Sequence, residues 1–147
     1  MTAFSSHDYT VGWICALPKE LAASELMFEK THNSLSQPQG DPNTYALGQI
    51  GKHNVVMACL PSGQKGPSSA TTVAAHMSRT FRSLRFCLMV GVGGGVPGKR
   101  HDIRLGDVVV ARPSSRNGGV VQYDFGKATP SGFERTGFLN SPPTGPT

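Results

Sequence analysis

The run Phe86-Cys87-Leu88-Met89-Val90 is continuously apolar, and the chain then places glycine at 91, 93, 94 and 95. A short apolar run of this kind predicts a buried strand. Glycine at its end removes the Cβ that keeps backbone away from a neighbouring group, so the strand ends where something approaches closely. In an open α/β sheet, ligands bind in the crevice beyond the carboxyl ends of the strands. One stretch therefore constrains the fold and also nominates the place for a small-molecule site.

The remaining elements are consistent with such a sheet. Residues 9–16 predict a first buried strand. Pro18 suits the first turn of a helix running to about Lys30, with Leu21, Ala22, Leu26 and Met27 near helical spacing. Polar residues 33–43 predict a loop, and strands are predicted over 44–50 and 54–60 around a turn at Gly51-Lys52-His53. A second glycine-containing loop, 61–67, leads into a small-residue helix over 68–81 with Ala70, Val73, Ala74 and Met77 on one face. Residues 107–111 predict another strand, and 120–123 a further one. This order of strands and helices predicts an α/β fold with a mixed sheet.

With 147 residues the chain has the length for one domain with a real core. Its longest apolar run falls far short of the roughly 20 residues of a membrane helix. Residues 1–10 lack the apolar segment of a secretory signal. Cys15, Cys59 and Cys87 lie in apolar segments without zinc-type spacing, so they read as buried, reduced thiols of an intracellular, cytoplasmic protein. The formal charge of +5 is spread over scattered basic residues with few aromatics between them. Neither nucleic acid nor a membrane is therefore expected as a partner. Proline and glycine fill the last residues, so a domain is expected over 1–140 and a disordered tail over 141–147. We also expect the chain to be the truncated front part of a longer domain.

Several motifs have more than one reading. Gly93-Gly94-Gly95-Val96-Pro97-Gly98 satisfies G-x-G-x-x-G, but a dinucleotide fingerprint needs a helix starting within it, and Pro97 with the charged residues after it supplies no apolar helical face. Gly98-Lys99-Arg100 departs from a P-loop, because arginine stands where a magnesium-binding hydroxyl is required. Glu20, at the start of the first helix, is placed to order water or a ribose hydroxyl. It equally suits the positive end of the helix dipole, and the residues alone favour that second role. Gly63 and Gly66 frame a loop whose amides can face an anion, or a plain flexible loop. Ser68 or Ser69 suits an N-cap. The five histidines show no metal-ligand spacing and read as surface residues, so no metal site is expected. Asp107 reads as a turn-fixing side chain.

Residues 11–21, the loop and helix over 63–77, Val90-Gly91-Val92-Gly93-Gly94-Gly95-Val96 and Leu105-Gly106-Asp107-Val108-Val109-Val110 together resemble the nucleoside phosphorylase/nucleosidase superfamily. The nearest likeness is to the N-terminal phosphorylase-like domains of large fungal proteins with NACHT, ankyrin or tetratricopeptide regions. Residues 119–124 and 135–139 share it, so the resemblance covers the chain to about residue 143.

The resemblance implies a three-layer α/β sandwich, of which this chain would be the N-terminal part. It implies cleavage of the N-glycosidic bond of a purine nucleoside, with water or phosphate as acceptor, no cofactor, and possible homo-oligomers. Glu20 aligns with the acidic residue that activates water near the ribose. Gly94 aligns with a substrate-contacting glycine, with Val92 and Gly93 beside it. The Glu20 carboxylate is thus expected within reach of the backbone over 91–95, where the chain is expected to reverse.

Two departures bear on activity. Phosphorylases carry arginine and a hydroxyl residue where this chain has Met89 and Val92. Neither offers the charge-assisted donors a phosphate dianion requires, so hydrolysis is favoured over glycosyl transfer to phosphate. The family's ribose-gripping Met-Glu pair and its base-protonating aspartate are not in this chain, and loss of a general acid costs about 10²–10⁴-fold. The alternative is a non-catalytic nucleoside-sensing or interaction module of a fungal NLR-like signalling protein.

Overall fold

Along Val11–Cys15 (β1) the side chains alternate between two buried surfaces. Val11 and Trp13 join a cluster with Val55, Met57, Leu21 and Phe28, while Ile14 joins a cluster with Val56, Ala58, Val73 and Met77. A strand buried on both faces needs a layer on each side. Pro18–Glu25 (α1) covers the first and Pro67–Thr80 (α2) the second. The computed structural model describes residues 4–99, 101–112, 118–121, 123 and 126–136. The chain divides into two compact units, Met1–Gly93 and Gly94–Thr147.

In the first unit, Lys30–Thr31 (β2), Tyr45–Ile50 (β3), His53–Cys59 (β4) and Phe86–Met89 (β5) join β1 in a five-stranded mixed sheet ordered β2-β3-β4-β1-β5. β4 and β5 both run parallel to β1, whereas β3–β4 and β2–β3 are antiparallel. The carboxyl ends of β4, β1 and β5 therefore share one edge of the sheet. The predicted α/β class, with helices on both faces of a mixed sheet, is what forms.

Glycine matters where elements crowd. A Cβ on Gly12 would lie 2.9 Å from the Met77 sulfur and 3.0 Å from that of Cys87, so α2 packs directly over bare backbone. A Cβ on Gly48 would collide with the Phe28 ring. This second contact explains a difference from the sequence reading, which carried α1 to about Lys30. The helix stops at Glu25 because Phe28 folds onto β3 and the chain becomes β2, pairing Lys30 with Gln49 and Thr31 with Gly48. Leu26 and Met27, expected on the apolar face, are consequently exposed, and Ala22, within the helix, is exposed as well.

Polar loop 33–43 is anchored at its end. Asp41 accepts hydrogen bonds from the Tyr45 hydroxyl at 2.8 Å, the Asn43 amide at 3.0 Å and the Thr80 hydroxyl. Burial pushes the Asp41 carboxyl up, but these donors outweigh it and hold the group below its ordinary range. His32, expected at the surface, is half-buried. Its Nδ1 lies 2.9 Å from the Tyr9 hydroxyl and its ring stacks on Phe4. Burial pushes the Tyr9 hydroxyl up to about 12.

The N-cap of α2 is Gly66, with φ +98°, and neither Ser68 nor Ser69 caps it; the Ser69 hydroxyl is buried without a partner among the described residues. Cys15 is buried and Cys59 partly so, but Cys87 is exposed on edge strand β5, which corrects the reading of three buried thiols. Phe86, Leu88 and Met89 are exposed there too, which corrects the expected buried strand: the apolar run does form a strand, but it is the edge of the sheet among the described residues and nothing covers it there.

The second unit holds a hairpin of Gly126–Thr129 (β6) and Gly132–Arg135 (β7). Asp107 accepts from the Arg104 amide at 2.8 Å and so fixes the turn before it. The strand expected over 107–111 does not form: Val108, Val109 and Val110 are exposed and irregular. Apolar β-branched residues become a strand only when a ladder partner satisfies their backbone, and no strand pairs with them among the described residues. Of the strand expected over 120–123, Val121 makes an isolated bridge and residue 122 lies outside the described residues. The expected boundary at 140/141 and the tail lie outside them as well. No described helix is long and apolar enough to cross a membrane.

Candidate functional site

α1 begins directly after β1, so its first turn lies at the shared carboxyl edge of the three parallel strands. Pro18 supplies the preset φ of the first helical position and lacks the N–H that would have no partner there. Glu20 sits two residues on and reaches back over the helix end. Its Oε2 accepts from the Leu17 amide at 2.9 Å and the Ala16 amide at 3.0 Å. So far this is the capping role that the residue type alone favours.

The third bond is not explained by capping. Glu20 Oε1 accepts from the Val92 amide at 2.9 Å, just past the carboxyl end of β5. Between β5 and that amide stands Gly91, where a Cβ would lie 2.8 Å from Oε1 and 3.1 Å from Oε2. Glycine is required at 91 because the carboxylate occupies the space a side chain would take. Glu20 itself is only 8% exposed.

These contacts define its charge state. The Val92 amide is the largest influence lowering the Glu20 pKa. Burial opposes it, and the Leu17 and Ala16 amides and the Lys19 ammonium add to the lowering. The carboxylate is therefore ionised at neutral pH. A carboxylate offers about four lone-pair directions. Among the described residues two donors meet Oε2 and one meets Oε1, so one acceptor direction on Oε1 can take a water or hydroxyl.

Sequence reasoning missed the residues behind Glu20. Ser24, one turn along α1 and buried, donates to the Glu20 carbonyl at 2.8 Å, and its oxygen lies 3.6 Å from the Cys15 sulfur. The i, i+4 spacing of Glu20 and Ser24 was the available signal.

The other expected site residues are placed differently. Val92 is 85% exposed, and its amide is the group that meets Glu20. A Cβ on Gly93 would meet nothing within 4 Å. Gly94 opens the second unit and is equally uncrowded. No turn forms over 91–95, contrary to the expected reversal, and none of glycines 91, 93, 94 and 95 takes a left-handed φ. Gly63 and Gly66 do, at +78° and +98°, in the exposed loop leaving the same sheet edge after β4. No helix follows the glycine stretch among the described residues, so neither nucleotide-motif reading finds its structural context. Among the described residues no group of three metal-ligating side chains occurs.

A buried, ionised carboxylate stands at the carboxyl edge of a mixed α/β sheet with bare backbone against it, and the general class is an α/β domain. Comparison with known proteins is more particular. The chain is 53% identical, over 97% of its length, to a nucleotide-binding leucine-rich repeat (NLR)-like protein of Hyaloscypha variabilis, of which it spans 14%. It is 31% identical over 82% of its length to the 5'-methylthioadenosine/S-adenosylhomocysteine nucleosidases of Mycobacterium bovis and Mycobacterium tuberculosis, of which it spans 40%. These likenesses are consistent with a nucleoside phosphorylase-like relationship. No protein-family model matches the chain, and neither does any solved structure.

Proposed function

We propose that this chain carries part of a nucleoside-cleaving site, in which Glu20 faces the sugar of a purine nucleoside and water is the acceptor. The observation that carries this reading is the bond from the Val92 amide to Glu20 Oε1, together with the exclusion of any side chain at Gly91. The likeness to nucleosidases supplies the reaction class.

In N-glycosidic hydrolysis the bond from the anomeric carbon to the base nitrogen breaks and leaves oxocarbenium character on the sugar. An ionised carboxylate stabilises that positive charge most where water is scarce. The lowered pKa of Glu20 makes it a weak base toward a resting water. It suits orienting the water through the open Oε1 direction, then taking its proton late, once the water oxygen has bonded to the cationic carbon and become acidic. The departing base takes a proton from a general acid that this arrangement does not include. Val92 and Met89 stand at the positions where the resembled phosphorylases carry a hydroxyl residue and an arginine, and neither side chain supplies donors to an anionic acceptor, which supports water over phosphate.

The test is base release from adenosine, inosine and 5'-methylthioadenosine, each with and without phosphate. Because the general acid is not among these residues, the reading expects slow base release, about 10²–10⁴-fold below that of a complete site, independent of phosphate and abolished by Glu20→Gln. Strict phosphate dependence would contradict the choice of acceptor. A second reading, a nucleoside-sensing module, is favoured by the 53% identity to an NLR-like protein. It predicts saturable nucleoside binding with no base released.

A further inference from the structure

Cys15 and Cys59 end the adjacent parallel strands β1 and β4, and they are direct register partners. Register partners on parallel strands project to the same face. Val11 and Val55, and Trp13 and Met57, share that face with them, against α1. Neighbouring strands lie ~4.8 Å apart, inside the ~4.4–6.8 Å Cα separation that a disulfide spans. Both thiols are free. Cys15 is fully buried, whereas Cys59 is partly exposed at the sheet edge that carries Glu20. Burial pushes the Cys59 thiol up, and the neighbouring Cys15 and Glu20 add to that shift, so all three groups share one locality. Cys87 is excluded from the pair, because its register partner is Gly12 and its sulfur lies on the α2 face beside Met77.

We propose that Cys59 and Cys15 form a reversible dithiol–disulfide couple, a modification site for small disulfide oxidants at the carboxyl edge of β4 and β1. Cys59 is the entry thiol. Its thiolate attacks oxidised glutathione, forming a Cys59–glutathione mixed disulfide and releasing one glutathione thiolate. The Cys15 thiolate then attacks the Cys59 sulfur, closing Cys15–Cys59 and expelling the second glutathione. Each cysteine loses one electron, the oxidant gains two, and the two thiol protons end on the two glutathione molecules. Closure draws the Cys15 sulfur from the Ser24 hydroxyl toward β4, removing one tie between β1 and the helix that carries Glu20. A parallel-strand bridge of this kind is constrained, which favours easy reduction.

The experiment uses the full chain with Cys87→Ser, treated with oxidised glutathione, then alkylated and digested without reductant. The result expected is a peptide pair joined through Cys15 and Cys59 that dithiothreitol separates. Cys15→Ser in the same background should instead leave stable glutathione on Cys59. Glutathione persisting on Cys59 with Cys15 still alkylatable would overturn the proposal, as would both thiols remaining free while circular dichroism shows the fold intact. Should Cys15→Ser fail to fold, the joined peptide in the Cys87→Ser chain decides the matter alone. None of these readouts involves a nucleoside, so the couple and the nucleoside-cleaving reading stand or fall separately.

Discussion

The Val92 amide donates to Glu20 Oε1 at 2.9 Å across a sequence separation of 72 residues. The bond joins the first turn of α1 to the exit of β5, two elements that meet only because β5 lies parallel and adjacent to β1. Among the described residues it is the one hydrogen bond of the Glu20 side chain that helix capping does not require.

Gly91→Ala would set a methyl 2.8 Å from Glu20 Oε1. Overpacking of this kind costs about 1–3 kcal/mol. The unfolding midpoint in urea should fall by the corresponding amount, while Gly93→Ala, with open space around it, should stay within about 0.5 kcal/mol of the parent.

Glu20→Gln replaces one acceptor oxygen with a donor group, which must then face either the Val92 amide or the Ala16 and Leu17 amides. Leaving such groups unpaired costs about 1–3 kcal/mol. The pH dependence has a definite sign. The Glu20 pKa is lowered in the folded state, so its contribution is fully present above the unfolded carboxylate value of about 4.3 and is lost as pH falls through the lowered folded value. Urea unfolding measured from neutral to strongly acidic pH should show a shallower loss of stability in Glu20→Gln than in the parent.

Asp41→Ala would leave the Tyr45 and Thr80 hydroxyls without their shared acceptor. We expect a loss of about 1–3 kcal/mol in denaturant unfolding. Loop 33–43 should also become more open to limited proteolysis, since Asp41 anchors it to β3 and α2.

Much of this architecture was legible because its elements are apolar runs punctuated by glycine and proline. β1 and α2 follow from their own residues, β5 follows as a strand but not as the buried one its apolar run predicts, and the β3–β4 hairpin follows from Gly51, which takes φ +56° at the turn. The early end of α1 was not legible: Leu26 and Met27 continue the helical spacing, and only the fit of the Phe28 ring over Gly48 ends it. The β6–β7 hairpin escaped for the opposite reason, since its short polar strands carry no apolar alternation. Residues 107–111 show the limit of propensity, being strand-like in composition yet without a partner ladder among the described residues. At the site, Glu20 and the glycines each stood out by residue type. The donors that hold the carboxylate did not, because they are main-chain amides of Ala16, Leu17 and Val92, and backbone donors carry no signature in a side-chain sequence.

Gly48→Ala tests that lesson. The added methyl would collide with the Phe28 ring, so we expect a loss of about 1–3 kcal/mol. Faster hydrogen exchange should appear at Glu29 and His32, whose amides bond to β3.

The most direct measurement of the central claim is a titration of the isotopically labelled chain with adenosine, followed by amide and carboxyl NMR. The account predicts saturable shifts centred on the Gly91 and Val92 amides and the Glu20 side-chain carboxyl, all lost in Glu20→Gln. Saturable shifts centred instead on the groove lined by Phe28, His32 and Tyr45, with Glu20 and Val92 unmoved, would contradict it.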